Sequence, residues 1–102
     1  MNSDGIIIVE DNSTMRLGIE ETLRREGYNT ISFDNGLSAL NHFKKHPAEL
    51  MIIDLRMEPI SGIEVLEKIR ELNPLTEVLM ISAYGTVEDA VKAMRLGAGD
   101  FM

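Results

Sequence analysis

Four short apolar runs punctuate the chain, and amphipathic stretches separate them. The first, Gly5-Ile6-Ile7-Ile8-Val9-Glu10, is β-branched and unbroken, the pattern of a strand buried on both faces. Asn12-Ser13-Thr14 then supplies helix-capping side chains. Met15, Ile19, Thr22 and Leu23 recur at helical spacing until Gly27 ends the segment. Tyr28 to Phe33 alternates and predicts a second strand, closed by an Asp34-Asn35-Gly36 turn. Leu37, Ala39, Leu40 and Phe43 mark a second helix ending near His46-Pro47. Leu50 to Ile53 is a third strand, closed by Asp54. Beyond a loop holding Pro59 and Gly62, Ile63, Leu66, Ile69 and Leu72 mark a third helix. Val78 to Ile81 is a fourth strand. Thr86 to Asp89 reads as a helix start resembling a capping box, and Val87, Val91 and Met94 form that helix's stripe up to Gly97. Asp100-Phe101-Met102 begins a fifth strand. Strand–helix alternation of this kind predicts an α/β fold, a doubly wound parallel sheet with helices on both faces.

The 102 residues fit one domain spanning 1–102. Seventeen acidic residues against ten basic ones give a net charge of -7. That balance argues against direct nucleic-acid binding and against an anionic membrane surface. With no cysteine there is no disulfide framework and no thiolate chemistry. The longest strictly apolar run, Ile6 to Val9, is too short to span a bilayer, and the N-terminus lacks a signal pattern. A cytoplasmic domain is expected.

In a doubly wound sheet, ligands bind beyond the carboxyl ends of the strands. Glu10 and Asp11 follow strand one, Asp54 ends strand three, and Ser82-Ala83 follow strand four. If strands one and three are neighbours, three carboxylates converge on one crevice, where mutual repulsion raises their pKa values. A hard divalent cation, Mg²⁺ or Mn²⁺, is the simple way to stabilise such a set. Asp54 alone reads equally well as a solvated strand end, and Glu10 or Asp11 alone reads better as one. Ser82 alone reads equally well as a local backbone partner, and Thr86 better as a helix cap. Met15, Met80 and Met94 read as core filler. Glu64 and its neighbours read as a solvated face with i,i+4 pairs such as Glu64–Lys68. His42 and His46 lie on the second helix, away from the crevice. No GxGxxG or GxxxxGK[ST] pattern supports a nucleotide cradle.

These residues, in order and at their spacing, resemble the receiver domain of two-component response regulators over the whole chain. The resemblance rests on Glu10-Asp11, Asp54-Leu55-Arg56-Met57, Gly62 and Ile81-Ser82-Ala83. The segments Ser82 to Val91 and Met94 to Ala98 are closest to the receivers of NtrC-type regulators of sigma-54 transcription. The resemblance implies a flavodoxin-like (βα)5 topology, here without most of strand five and helix five. It implies Asp54 as phosphoacceptor from a histidine kinase, and Mg²⁺ held by Asp11, Asp54 and the backbone carbonyl of Arg56. Glu10 would act on the metal through water. Ser82 would be the switch hydroxyl, the Ala83 amide a phosphoryl contact and Phe101 the switch aromatic. The implied product is a signalling switch rather than a turnover enzyme. Its implied partners are a sensor histidine kinase and a downstream output domain or protein; homodimerisation in the family often uses helix four, strand five and helix five, a surface mostly absent from these residues. Glu58 stands where the family has proline, and the family's lysine would fall two residues beyond Met102. The favoured expectation is a piece of a longer regulator. The alternative function is a degenerate receiver acting only as an interaction module. A phosphohydrolase on a related sheet fits less well, because Arg56 stands where it would need a second aspartate.

Overall fold

The computed structural model describes residues 5–81 and 95–101. The chain runs β1 (Ile6–Val9), α1 (Ser13–Arg25), β2 (Thr30–Phe33), α2 (Gly36–Lys45), β3 (Leu50–Asp54), α3 (Gly62–Leu72), β4 (Glu77–Ile81) and β5 (Asp100–Phe101). All strands pair in parallel, in the order β2-β1-β3-β4-β5. This is the doubly wound sheet that the alternation predicts. The expected strand from Tyr28 is shorter at its start, because Tyr28 still donates to the Leu23 carbonyl as part of the helix-ending turn. The helix expected over Val87 to Met94 lies outside the described residues.

The unbroken apolar runs feed two cores, because successive side chains on a strand point to opposite faces. Ile7, Val9, Met51, Ile53, Val78 and Met80 meet Ala39, Leu40 and Phe43 of α2 and Val65, Leu66 and Ile69 of α3. On the other face Ile6, Ile8 and Ile52 meet Ile19 and Leu23 of α1. Each helix has a chemical start. Asn12 caps α1 by accepting from the Met15 amide, and Asn35 caps α2 through the Ser38 amide. Ser61 and Glu64 form a reciprocal capping box on α3. Glu64 is therefore a cap rather than the partner of Lys68, which pairs with Glu71 at 3.8 Å.

Met15 is not core filler: it is 44 % exposed. The inner stripe of α1 is Ile19 and Leu23, and Met15 stands a turn earlier on the rim of an open groove that also includes Gly18 and Ile52. Met80 is fully buried as expected, and Met94 lies outside the described residues. Gly18 sits mid-helix with no atom within 4 Å of an added Cβ. Gly18→Ala is expected to stabilise the domain by about 0.5–1 kcal/mol through helix propensity alone, read as a higher denaturant midpoint.

Candidate functional site

β1 and β3 are neighbours with Val9 opposite Ile53, so the residues that follow them share one edge of the sheet. Glu10 continues the strand for one residue, its amide donating to the Phe33 carbonyl at 3.0 Å. Its carboxylate Oε2 then accepts from the Asn12 amide at 3.1 Å, and its carbonyl accepts from Arg16 Nη1 at 2.8 Å. Glu10 is buried, Asp54 half-buried and Asp11 exposed. Each offers a carboxylate oxygen, and the three atoms lie within 4.8 Å of one another.

Three acids this close cannot all hold full charge without consequence. Burial above all, with the Asp54 charge and hydrogen bonds with Asp11 and Asp54 adding to it, pushes the Glu10 carboxyl up to about 7 against the pull of the Asn12 amide. Burial also raises Asp54, with the charge of Asp11 adding to it. The amides of Arg56 and Leu55 and the hydrogen bond from Glu10 pull Asp54 the other way. Both shifts favour a proton retained between Glu10 and Asp54 over two bare charges. A hard divalent cation would replace that proton and screen all three carboxylates, and an all-oxygen donor set suits Mg²⁺ or Mn²⁺.

The loop after β3 shapes the rest of the site. The Leu55 amide donates to the Ile81 carbonyl at 2.9 Å, and the Arg56 amide reaches Asp54 Oδ1 at 3.4 Å. The Gly62 amide donates to the Leu55 carbonyl at 2.8 Å. An open crevice of ≈ 600 Å³ runs from Asp11 past Arg56 and Glu58 to Glu64 and Glu67 on α3. Glu58, standing where the resembled family has proline, therefore lines the crevice itself. Pro59 follows it through a cis peptide bond.

The structure thus brings Glu10, Asp11 and Asp54 together and places Arg56 on the crevice wall. Phe101 lies on β5 in register with Met80. Ser82 and Ala83 lie outside the described residues, as does Thr86. His42 and His46 stand apart from the carboxylates. The His42 ring lies tilted between Phe33 and His46, with centroids 5.3 Å and 5.1 Å away. Sequence reasoning missed Arg16, whose guanidinium holds the carbonyl of Glu10. Its position one helical turn past the Asn12 cap was the only signal. It also missed the buried Glu20, which pairs with Arg24 at 3.1 Å.

Residues 6–102 match the family described as the response regulator receiver domain. The chain belongs to that family. Receiver domains are signalling domains of two-component systems rather than turnover enzymes; they interact with histidine kinases and output domains and bind Mg²⁺ at an acidic pocket. The resemblance to NtrC-type receivers holds among the relatives. The chain is 35% identical over 97 residues to the transcriptional regulatory protein ZraR of Klebsiella oxytoca. That match covers 95% of this chain but only 22% of the regulator's length. It is 31% identical to sporulation initiation phosphotransferase F of Bacillus subtilis, covering 96% of this chain and 79% of that protein. Among solved structures it is similar to the response regulator TrrA of Thermotoga maritima in complex with Mg²⁺-BeF. There the identity is 28%, the TM-score 0.87, and the match covers 97% of this chain and 84% of that one. Among the described residues, no helix is long and apolar enough to cross a membrane.

Proposed function

We propose that this receiver is a phosphoryl-accepting switch with Asp54 as its acceptor. The observation that carries the reading is the convergence of Glu10, Asp11 and Asp54 within 4.8 Å at the strand ends. A carboxylate oxygen of Asp54 attacks phosphorus, the P–N bond of a kinase phosphohistidine breaks, and the imidazole leaves with a proton. An acyl phosphate on Asp54 results. Mg²⁺, when bound, supplies the positive charge that screens the transferring group from the surrounding carboxylates. Asp11, Asp54 and the Arg56 carbonyl would hold it directly, and Glu10 would act through water. The Asn12 amide and Arg16 keep Glu10 in place.

The new phosphoryl group then meets the Ser82 hydroxyl and the Ala83 amide, and Phe101 follows as the switch aromatic. Through these the modification would bias the helix-four and β5 face and an output domain or partner. Similarity to a transcriptional regulatory protein supports a role in transcription control, in the cytoplasm. The degenerate, interaction-only reading is weaker, because it leaves the pooled carboxylates without a task.

The test is intact mass after incubation with acetyl phosphate. The parent chain is expected to gain one phosphoryl group with Mg²⁺ and none when the metal is chelated. Asp54→Asn is expected to gain none under either condition. Equal gain by Asp54→Asn would remove Asp54 from the role.

A further inference from the structure

α3 is fastened at both ends, and the two fastenings belong to different parts of the fold. At its start Gly62 abuts the backbone of Asp54 and Leu55, with no room for a Cβ and a 2.8 Å hydrogen bond to the Leu55 carbonyl. In between, Val65, Leu66 and Ile69 are fully buried in the core. In the last turn, Arg70 reaches across 27 residues to Gly97. Its Nε and Nη2 donate to the Gly97 carbonyl at 3.2 Å and 2.7 Å. Its Nη1 holds the Asn73 and Pro74 carbonyls at 3.5 Å and 3.4 Å. Gly97 has φ +102, and a Cβ there would come 2.6 Å from Arg70 Nε. Two residues later the Gly99 amide donates to the Val78 carbonyl at 2.8 Å, and β5 begins beside Leu79.

We propose that α3 is a strut joining the Asp54 loop to the lead-in of β5, with Arg70 as the positioning residue at its far end. The inference rests on the reading of Asp54 as phosphoacceptor and adds a route that does not pass through Ser82. A helix of eleven residues is about 16 Å long, and close-packed cores transmit displacement instead of absorbing it. A change of charge on Asp54 presses on a helix start that has no slack. The forked guanidinium carries the other end of that helix to the turn that admits β5. A planar fork suits this task, because it holds two chain segments at once.

Linkage supplies the test, since coupling between two sites is reciprocal. The readouts are the affinity for Mg²⁺ with beryllofluoride and the unfolding stability with and without it. Arg70→Ala is expected to weaken beryllofluoride binding about 5-fold, at the low end of measured couplings. It should also destabilise the liganded protein more than the free one. Arg70→Lys keeps the charge but loses the fork, and is expected to behave like Arg70→Ala. Lys68→Ala, which removes only an exposed ion pair on the same helix, is expected to bind like the parent. Equal destabilisation with and without ligand, at unchanged affinity, would make Arg70 a structural residue only and overturn the proposal. Parental affinity in Arg70→Lys, or equal weakening in Lys68→Ala, would overturn it too. Failure of the parent chain to bind beryllofluoride would instead overturn the reading of Asp54, and the strut with it.

Discussion

Glu10→Gln is expected to make the metal-free domain more stable at pH 8 while blunting its response to Mg²⁺. The sign follows from linkage. Burial holds the Glu10 carboxyl at about 7 in the folded chain, against an ordinary value of 4.5. Between those values the folded state holds a proton that the unfolded state has lost, so stability falls as pH rises through 7. Above 7 the folded protein carries the whole burden of a buried charge beside Asp54. The full shift would correspond to about 3 kcal/mol. Water in the open crevice screens the carboxyl, so a gain of about 1–2 kcal/mol is the sensible expectation for the neutral isostere. Gln keeps an oxygen for the Asn12 amide, so the loop is retained. Denaturant unfolding from pH 5 to pH 8 should show a falling profile for the parent and a flatter one for Glu10→Gln. Mg²⁺ should lift the parent most above pH 7, where the proton no longer competes. A parent profile that rises between pH 5 and 7 would contradict the proton-sharing arrangement.

Gly62→Ala is expected to act in the opposite direction and through sterics. The added Cβ would collide with the Asp54 carbonyl oxygen, and would lie 2.8 Å from Leu55 Cα and 2.9 Å from the Asp54 carbonyl carbon. All three are backbone atoms of the strand end that carries the acceptor, so no side chain can rotate away. A loss of about 2–3 kcal/mol is expected, the upper part of the range for overpacking, together with weaker beryllofluoride binding as Asp54 is displaced. Gly36 makes a useful contrast, since the nearest atoms to its added Cβ are side-chain atoms of Val65 and Ile60, which yield at less cost than backbone although Val65 is buried. Denaturant midpoints should therefore rank Gly62→Ala well below Gly36→Ala.

The strands were legible because they are buried on both faces. Ile6 to Val9 and Leu50 to Ile53 could not be solvated, and their uniform apolarity said so. The carboxylate cluster was legible for a related reason: in a parallel sheet, residues that end neighbouring strands must meet. What escaped was decided by contacts distant in sequence or by local competition. Nothing near Arg70 announces Gly97. Glu64 has an i,i+4 lysine within reach, yet the free amide of Ser61 at the helix start claims its carboxylate. Met15 shares a helical stripe with Ile19 and Leu23, but the stripe outruns the sheet it covers. Glu20 looks like a surface acid until Arg24, itself tied to the Thr30 hydroxyl, folds over it.

The order of the sheet bears on which parts of the molecule open first. β1 lies between β2 and β3, and β3 lies between β1 and β4. Amides flanked on both sides exchange with solvent only when a large cooperative unit comes apart. β2, half-buried along its length at one edge, can fray without that. Glu10 and Asp54 are thus seated on the slowest-opening segments, while the crevice wall from Arg56 to Ser61 belongs to a loop. Exchange with solvent is therefore expected to reach the rim of the site before the strands that carry its acidic floor.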